Sequence, residues 1–172
     1  HSKKTAEQMK AVHFQPNVPA SEGALQQYTK RWHNTGMLSH LEFAIHIARS
    51  LDLKIELQEL MGEFHHHKAN KADSDEMKSR HLRAAAKSYE VGNRSELALP
   101  IHILLEDWDK AWELLRAFRQ EDSWVRILQL YCSLKLGEEP DSHDVASRLK
   151  DRRSISFPHR FTADIDIDAM LD

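Results

Sequence analysis

Residues 37–51 read MLSHLEFAIHIARSL. Met37, Leu41, Ala44, Ala48 and Leu51 recur at steps of three and four, and Leu38 and Ile45 widen the stripe. That is the period of an amphipathic helix with one buried face. Just upstream, Asn34-Thr-Gly36 provides a stop, with glycine where a helix end turns left-handed. Before it, Ala24 or Leu25, Tyr28, Trp32 and Thr35 fall at helical spacing behind Ser21, a favourable N-cap. Pro16 and Pro19 break any helix ahead of that, and Lys3 to Val12 has room for one short amphipathic helix. Downstream, Asp52 marks a junction, and Leu53, Leu57, Leu60, Met61 and Phe64 resume in a new phase.

From His65 to Asp75 no apolar residue is larger than alanine, which predicts a loop. Ser74 or Asp75 then caps a helix over 76–91, carrying Met77, His81, Leu82 and Tyr89. Its Ala84, Ala85 and Ala86 let a neighbouring helix approach closely. Gly92-Asn93 ends it. Leu97 to Leu105 is apolar almost all round, and Pro100 predicts a kink or a helix start at that point. Glu106-Asp107 introduces Trp108, Ala111, Trp112, Leu115 and Phe118. Asp122-Ser123 introduces Trp124, Ile127, Leu128, Tyr131 and Leu134, closed by Gly137 and Pro140. Ser142 opens a last short helix with Val145, Ala146 and Leu149. Beyond it, Ile155, Phe157, Phe161, Ala163, Ile165 and Ile167 alternate as in a strand, with Pro158 interrupting.

The pattern predicts an all-α chain of about seven or eight helices. It divides into an N-terminal segment (1–19), a single helical domain (20–150) and a basic-then-acidic, extended tail (151–172).

The chain has 172 residues, 41% apolar and 30% charged, enough to build a core and to solvate its surface. Lys and Arg number 24 against 27 Asp and Glu, a net charge of −3, without the basic excess usual in a dedicated nucleic-acid binder. The single cysteine, Cys132, forms no internal disulfide and reads as a small buried apolar residue. No apolar run approaches the ~20 residues of a membrane span, and the first ten residues are too polar for a signal peptide. An intracellular protein, cytoplasmic or nuclear, is the expectation. His1-Ser2 reads as the start of a domain cut from something longer.

Between residues 76 and 136, Ala84-Ala85-Ala86, Tyr89, Gly92, Ala98 and the entry Trp108-Asp-Lys-Ala111 resemble the helix pairs of tetratricopeptide-like and related α-solenoid families. The resemblance implies a right-handed stack of antiparallel helix pairs that presents a groove or edge to a peptide, a helix or another subunit. The function it implies is that of a non-catalytic scaffold, adaptor or oligomerisation module.

No catalytic signature competes with this. The five glycines form no phosphate-cradling loop, and no GxSxG or HExxH pattern is present. Adjacent helical residues diverge by about 100°, so His65, His66 and His67 do not converge on one metal ion, and no metal or cofactor is expected. His40, His46 and His102 sit among apolar stripes as boundary residues rather than bases.

Two surfaces are candidates for a protein partner or for self-association into a homodimer. One is the tryptophan-rich helix pair with Trp108, Trp112, Trp124 and Tyr131, where tryptophan is either a core anchor or an interface hot spot. The other is the acidic-apolar tail with Ile165, Ile167, Met170 and Leu171, interleaved with aspartates as in short docking motifs. An alternative expectation is an accessory helical domain of an enzyme or nucleic-acid machine, touching nucleic acid through Arg148, Lys150, Arg152, Arg153 and Arg160.

Overall fold

The computed structural model describes residues 19–139, with 141 and 143, and among these it contains seven α-helices and no strand. The all-α expectation therefore holds. The last predicted helix, the basic stretch and the acidic-apolar tail lie outside the described residues, as does the N-terminal segment up to residue 18. The chain forms two compact units, His1–Asn93 and Arg94–Asp172.

The first unit contains α1 (Glu22–Thr35), α2 (Leu38–Ser50), α3 (Lys54–Asn70) and α4 (Asp75–Val91). Ser21 caps α1 as expected, its Oγ accepting the Ala24 N–H at 3.1 Å. At the other end Gly36 turns left-handed (φ 68°) and its N–H donates to the Trp32 carbonyl at 2.8 Å. Much of the stripe on α2 becomes the core of this unit: Leu41, Ala44 and Ala48 are fully buried and Ile45 nearly so, joined by Ile47 from outside the stripe, while Met37, the N-cap, stays exposed. Leu25 and Leu60 join them, with Tyr28, Trp32, Leu57 and Phe64 packed around the edge.

The segment expected to be a loop is shorter than the sequence implies. Helix α3 runs on to Asn70, so His65, His66 and His67 are helical and half-buried. Hydrophobic periodicity misses this extension because its contacts are made by small or aromatic polar side chains. Ala69 is buried, and the His67 ring stands edge-on to Trp32 with centroids 5.6 Å apart. Ser74 caps α4 as predicted, accepting the Met77 N–H at 3.2 Å, with Asp75 and Glu76 favourably placed in the first turn. The close approach foreshadowed by the alanines is realised: Ala85 and Ala86 are buried, and the Tyr89 ring lies against Gly62 of α3.

The second unit contains α5 (Ser95–Leu104), α6 (Trp108–Leu115) and α7 (Ser123–Lys135). Pro100 neither starts α5 nor ends it; the helix begins at Ser95 and continues through it. A proline inside a helix costs ~3 kcal/mol. Leu97, Leu99 and Ile101 are all buried around it, each contributing about 1.5–3 kcal/mol, so burial outweighs the lost hydrogen bond. The core combines Leu99, Ala111, Leu115, Val125, Leu128 and Cys132 with the indole of Trp124. Gln129, 6% exposed, donates from Nε2 to Gln120 Oε1 at 2.6 Å. Gln120, itself exposed, in turn donates to the carbonyls of Leu115 and Phe118, so this amide pair ties the α6–α7 loop to buried Gln129.

Three helix ends share one geometry. After α2, α5 and α7 the N–H two residues past the cap reaches back five positions: Leu53 to Ala48, Asp107 to His102, Glu138 to Ser133. These are Schellman turns, each needing one left-handed residue. That residue is glycine only at Gly137; the others are Asp52 (φ 55°) and Glu106 (φ 57°). A non-glycine residue pays about 1–2 kcal/mol for the left-handed region, and glutamate lacks the local side-chain bonding that eases it for aspartate. Glu106→Gly is expected to stabilise the protein by about 0.5–1 kcal/mol after the unfolded-state entropy of glycine is subtracted, read as a raised midpoint in urea with unchanged slope.

Candidate interaction surfaces

The aromatic residues singled out in the sequence divide between core and rim. Trp124 is 8% exposed and packs edge-on to Phe118 at 5.1 Å, which makes it a core anchor. Trp112 is partly buried against the same core. Trp108 and Tyr131 meet edge-to-face at 5.3 Å on the rim. The Lys135 ammonium lies over both rings, 6.0 Å and 5.5 Å from their centroids. Exposed Leu134 belongs to the same end of α7. Ile165, Ile167, Met170 and Leu171 lie outside the described residues, as do Arg148, Lys150, Arg152, Arg153 and Arg160.

A second surface, in the first unit, was not apparent from sequence. Helices α1 and α3 both pack on α2, and between them runs an open groove of about 470 Å³. That size is within the ~300–1,000 Å³ of ligand clefts. The C-terminal part of α1 touches α3, since His33 of α1 meets Glu63 of α3 and Trp32 meets His67. The floor is apolar, from Leu25 and Leu60, which also belong to the buried core. On the α3 side stand Glu56, Glu59 and Glu63; on the α1 side stand Lys30 and His33, with Gln26 and Thr29 between. His33 Nε2 and Glu63 Oε1 are 2.7 Å apart, and this contact ties the two walls together. The spacing of the three glutamates is a helical stripe visible in the sequence. Its pairing with His33, thirty residues earlier, depends on the tertiary fold. A narrower depression of about 340 Å³ lies between α2 and α3, lined by Ile45, Met61 and Phe64 with Glu42, His46 and Arg49.

The histidine run serves packing. Burial lowers the pKa of His65 and His66 below the ordinary 6.5, and nearby His81 lowers His65 further. The folded state therefore favours neutral rings. As pH falls through about 6.5 the unfolded chain takes up protons first, so stability is full above that pH and declines below it. The thermal midpoint is expected to drop between about pH 8 and about pH 5, and His65→Gln with His66→Gln should flatten that dependence.

Among the described residues no group of three or more His, Cys, Asp or Glu side chains is arranged to hold a metal ion. No described helix is long and apolar enough to cross a membrane. No family model matches the chain, and no curated protein or solved structure matches it.

Proposed function

We propose that this chain is a non-catalytic protein–protein interaction module, an α-solenoid-like helical scaffold that takes a partner segment in the groove between α1 and α3. The observation that carries the proposal is the groove itself: an apolar floor of Leu25 and Leu60 bounded by charged walls, open along two helices. Such a cleft between helices accepts the apolar face of a third helix. The order of packing supports a stack of helix pairs, because within each unit each helix packs on its neighbours in the chain. An intracellular setting belongs to the same proposal, with Cys132 kept as a buried free thiol.

Selection of a random peptide library on the full chain tests this. Peptides are expected to be enriched on the wild type and lost on Gln26→Trp and Thr29→Trp, two variants that fill the groove from α1 with a large side chain. Gln26 is exposed, so its variant preserves the core and keeps the test independent of folding. Enrichment that ignores both substitutions would overturn the proposal.

A further inference from the structure

We infer that Trp108 and Tyr131 form a binding corner for a methylated ammonium group, and that Lys135 of the same chain holds the place of that guest. The corner lies in the second unit and stands independently of the α1–α3 groove.

The two ring planes meet at 87°, with centroids 5.3 Å apart. Aromatic faces are the negative side of the ring quadrupole, so two faces near a right angle attract one cation from two sides. The chain supplies such a cation itself. Lys135 Nζ stands 5.5 Å from the Tyr131 centroid and 6.0 Å from that of Trp108, within the ~6 Å reach of a cation–π contact. None of the ion pairs among the described residues includes Lys135, so attraction to the rings is what places its ammonium. The rings are held in advance of any guest, because both are partly buried and Trp108 packs against the core of its unit.

Lysine is a weak occupant of this corner. Its primary ammonium is compact and strongly hydrated, and the Lys135 side chain is exposed, so it sheds little water there. A trimethylated ammonium has no N–H to leave unpaired on leaving water, and its methyl groups lie directly on the ring faces. A neutral group of the same shape gains the apolar contact and forgoes the electrostatic one. Displacing Lys135 costs the fold little. It is the last residue of α7, two residues before left-handed Gly137, and its side chain is free to swing into solvent.

The test titrates the full chain with choline and, separately, with a short Gly-Ser peptide bearing a trimethyllysine. Binding is read from the indole N–H signals in NMR, with the Trp108 signal assigned by its loss in Trp108→Leu. Saturable shifts of that signal are expected with a methylated cation, and the tighter of the two ligands names the source, a free cation or a modified protein. The unmethylated peptide, and the neutral alcohol in which a tert-butyl group replaces the trimethylammonium of choline, are expected to bind severalfold more weakly. Tyr131→Leu is expected to abolish the response. Lys135→Ala is expected to tighten binding roughly two- to sixfold, the share returned when an exposed cation–π competitor of about 0.5–1 kcal/mol is removed. Lys135→Arg keeps a cation over the rings and is expected to leave affinity near that of the wild type. A gain of affinity at an exposed position does not arise from misfolding, so Lys135→Ala keeps the test decisive even if the ring variants unfold. The inference is overturned if neither methylated cation shifts Trp108, if the neutral alcohol binds as tightly as choline, or if Lys135→Ala binds no more tightly than the wild type.

Discussion

Gly62→Ala is expected to destabilise the first unit by roughly 2 kcal/mol, the reverse of the usual effect of this substitution in a helix. On an exposed helical surface, alanine for glycine gains up to ~1 kcal/mol. Here a Cβ would stand 2.5 Å from two ring carbons of Tyr89 and 2.9 Å from a third. No carbon pair tolerates that separation, and the ring has little room to retreat because Tyr89 is only 4% exposed. The backbones of α3 and α4 must then separate, and overpacking of this kind costs about 1–3 kcal/mol or more. Urea unfolding followed by circular dichroism measures the loss. A second substitution separates steric strain from any other cause. Trimming the ring with Tyr89→Leu costs stability in the wild type and should cost much less in Gly62→Ala, a coupling visible in a double-mutant cycle. Additive losses would show that the ring and the glycine do not restrain each other.

Cys132 is expected to react with a thiol reagent at about pH 8 at least 10³-fold more slowly in the folded protein than after denaturation. Burial pushes its pKa up to about 12 from an ordinary 9.0. The thiolate is the reactive form, and three pKa units remove a factor of about a thousand from it. Exclusion of the reagent from a fully buried side chain adds to that. The sign for stability follows. The folded state keeps the proton and the unfolded chain releases it above about pH 9, so alkaline conditions favour unfolding. Kinetics with an aromatic disulfide, with and without denaturant, give the ratio. Fast labelling of the native protein would place Cys132 at the surface and contradict the packing of α7.

Much of the helical pattern was legible in the sequence because local chemistry decides it. Ser21, Ser74 and Gly36 act at helix ends through their own side chains or lack of one, and the middle of the α2 stripe, Leu41, Ala44, Ile45 and Ala48, is buried, while Met37 at its start is exposed. Features decided by distant partners were not legible. The continuation of α3 through three histidines depends on Trp32 and on close packing with α4. The passage of α5 through Pro100 depends on burial that outweighs a local penalty. Glu106 in a left-handed turn carries no sequence signal, since glutamate is a poor choice for that conformation. The groove escaped for the same reason. Glu56, Glu59 and Glu63 share one helical stripe, and only the tertiary fold sets His33 and Leu25 opposite them. Tryptophan gave the converse lesson, because residue type alone does not separate Trp124 in the core from Trp108 on the rim.

The order of helix packing bears on how the chain reaches its structure. Within the first unit α1 meets α2, α2 meets α3 and α3 meets α4; within the second α5 meets α6 and α6 meets α7. Contacts of this kind close short loops, and short loops are entropically inexpensive. Chains dominated by them fold in microseconds to milliseconds. Each helix also finds its partner as soon as the next one has been synthesised. The first unit can therefore assemble while the second is still being made, and its apolar surfaces spend little time exposed to aggregation.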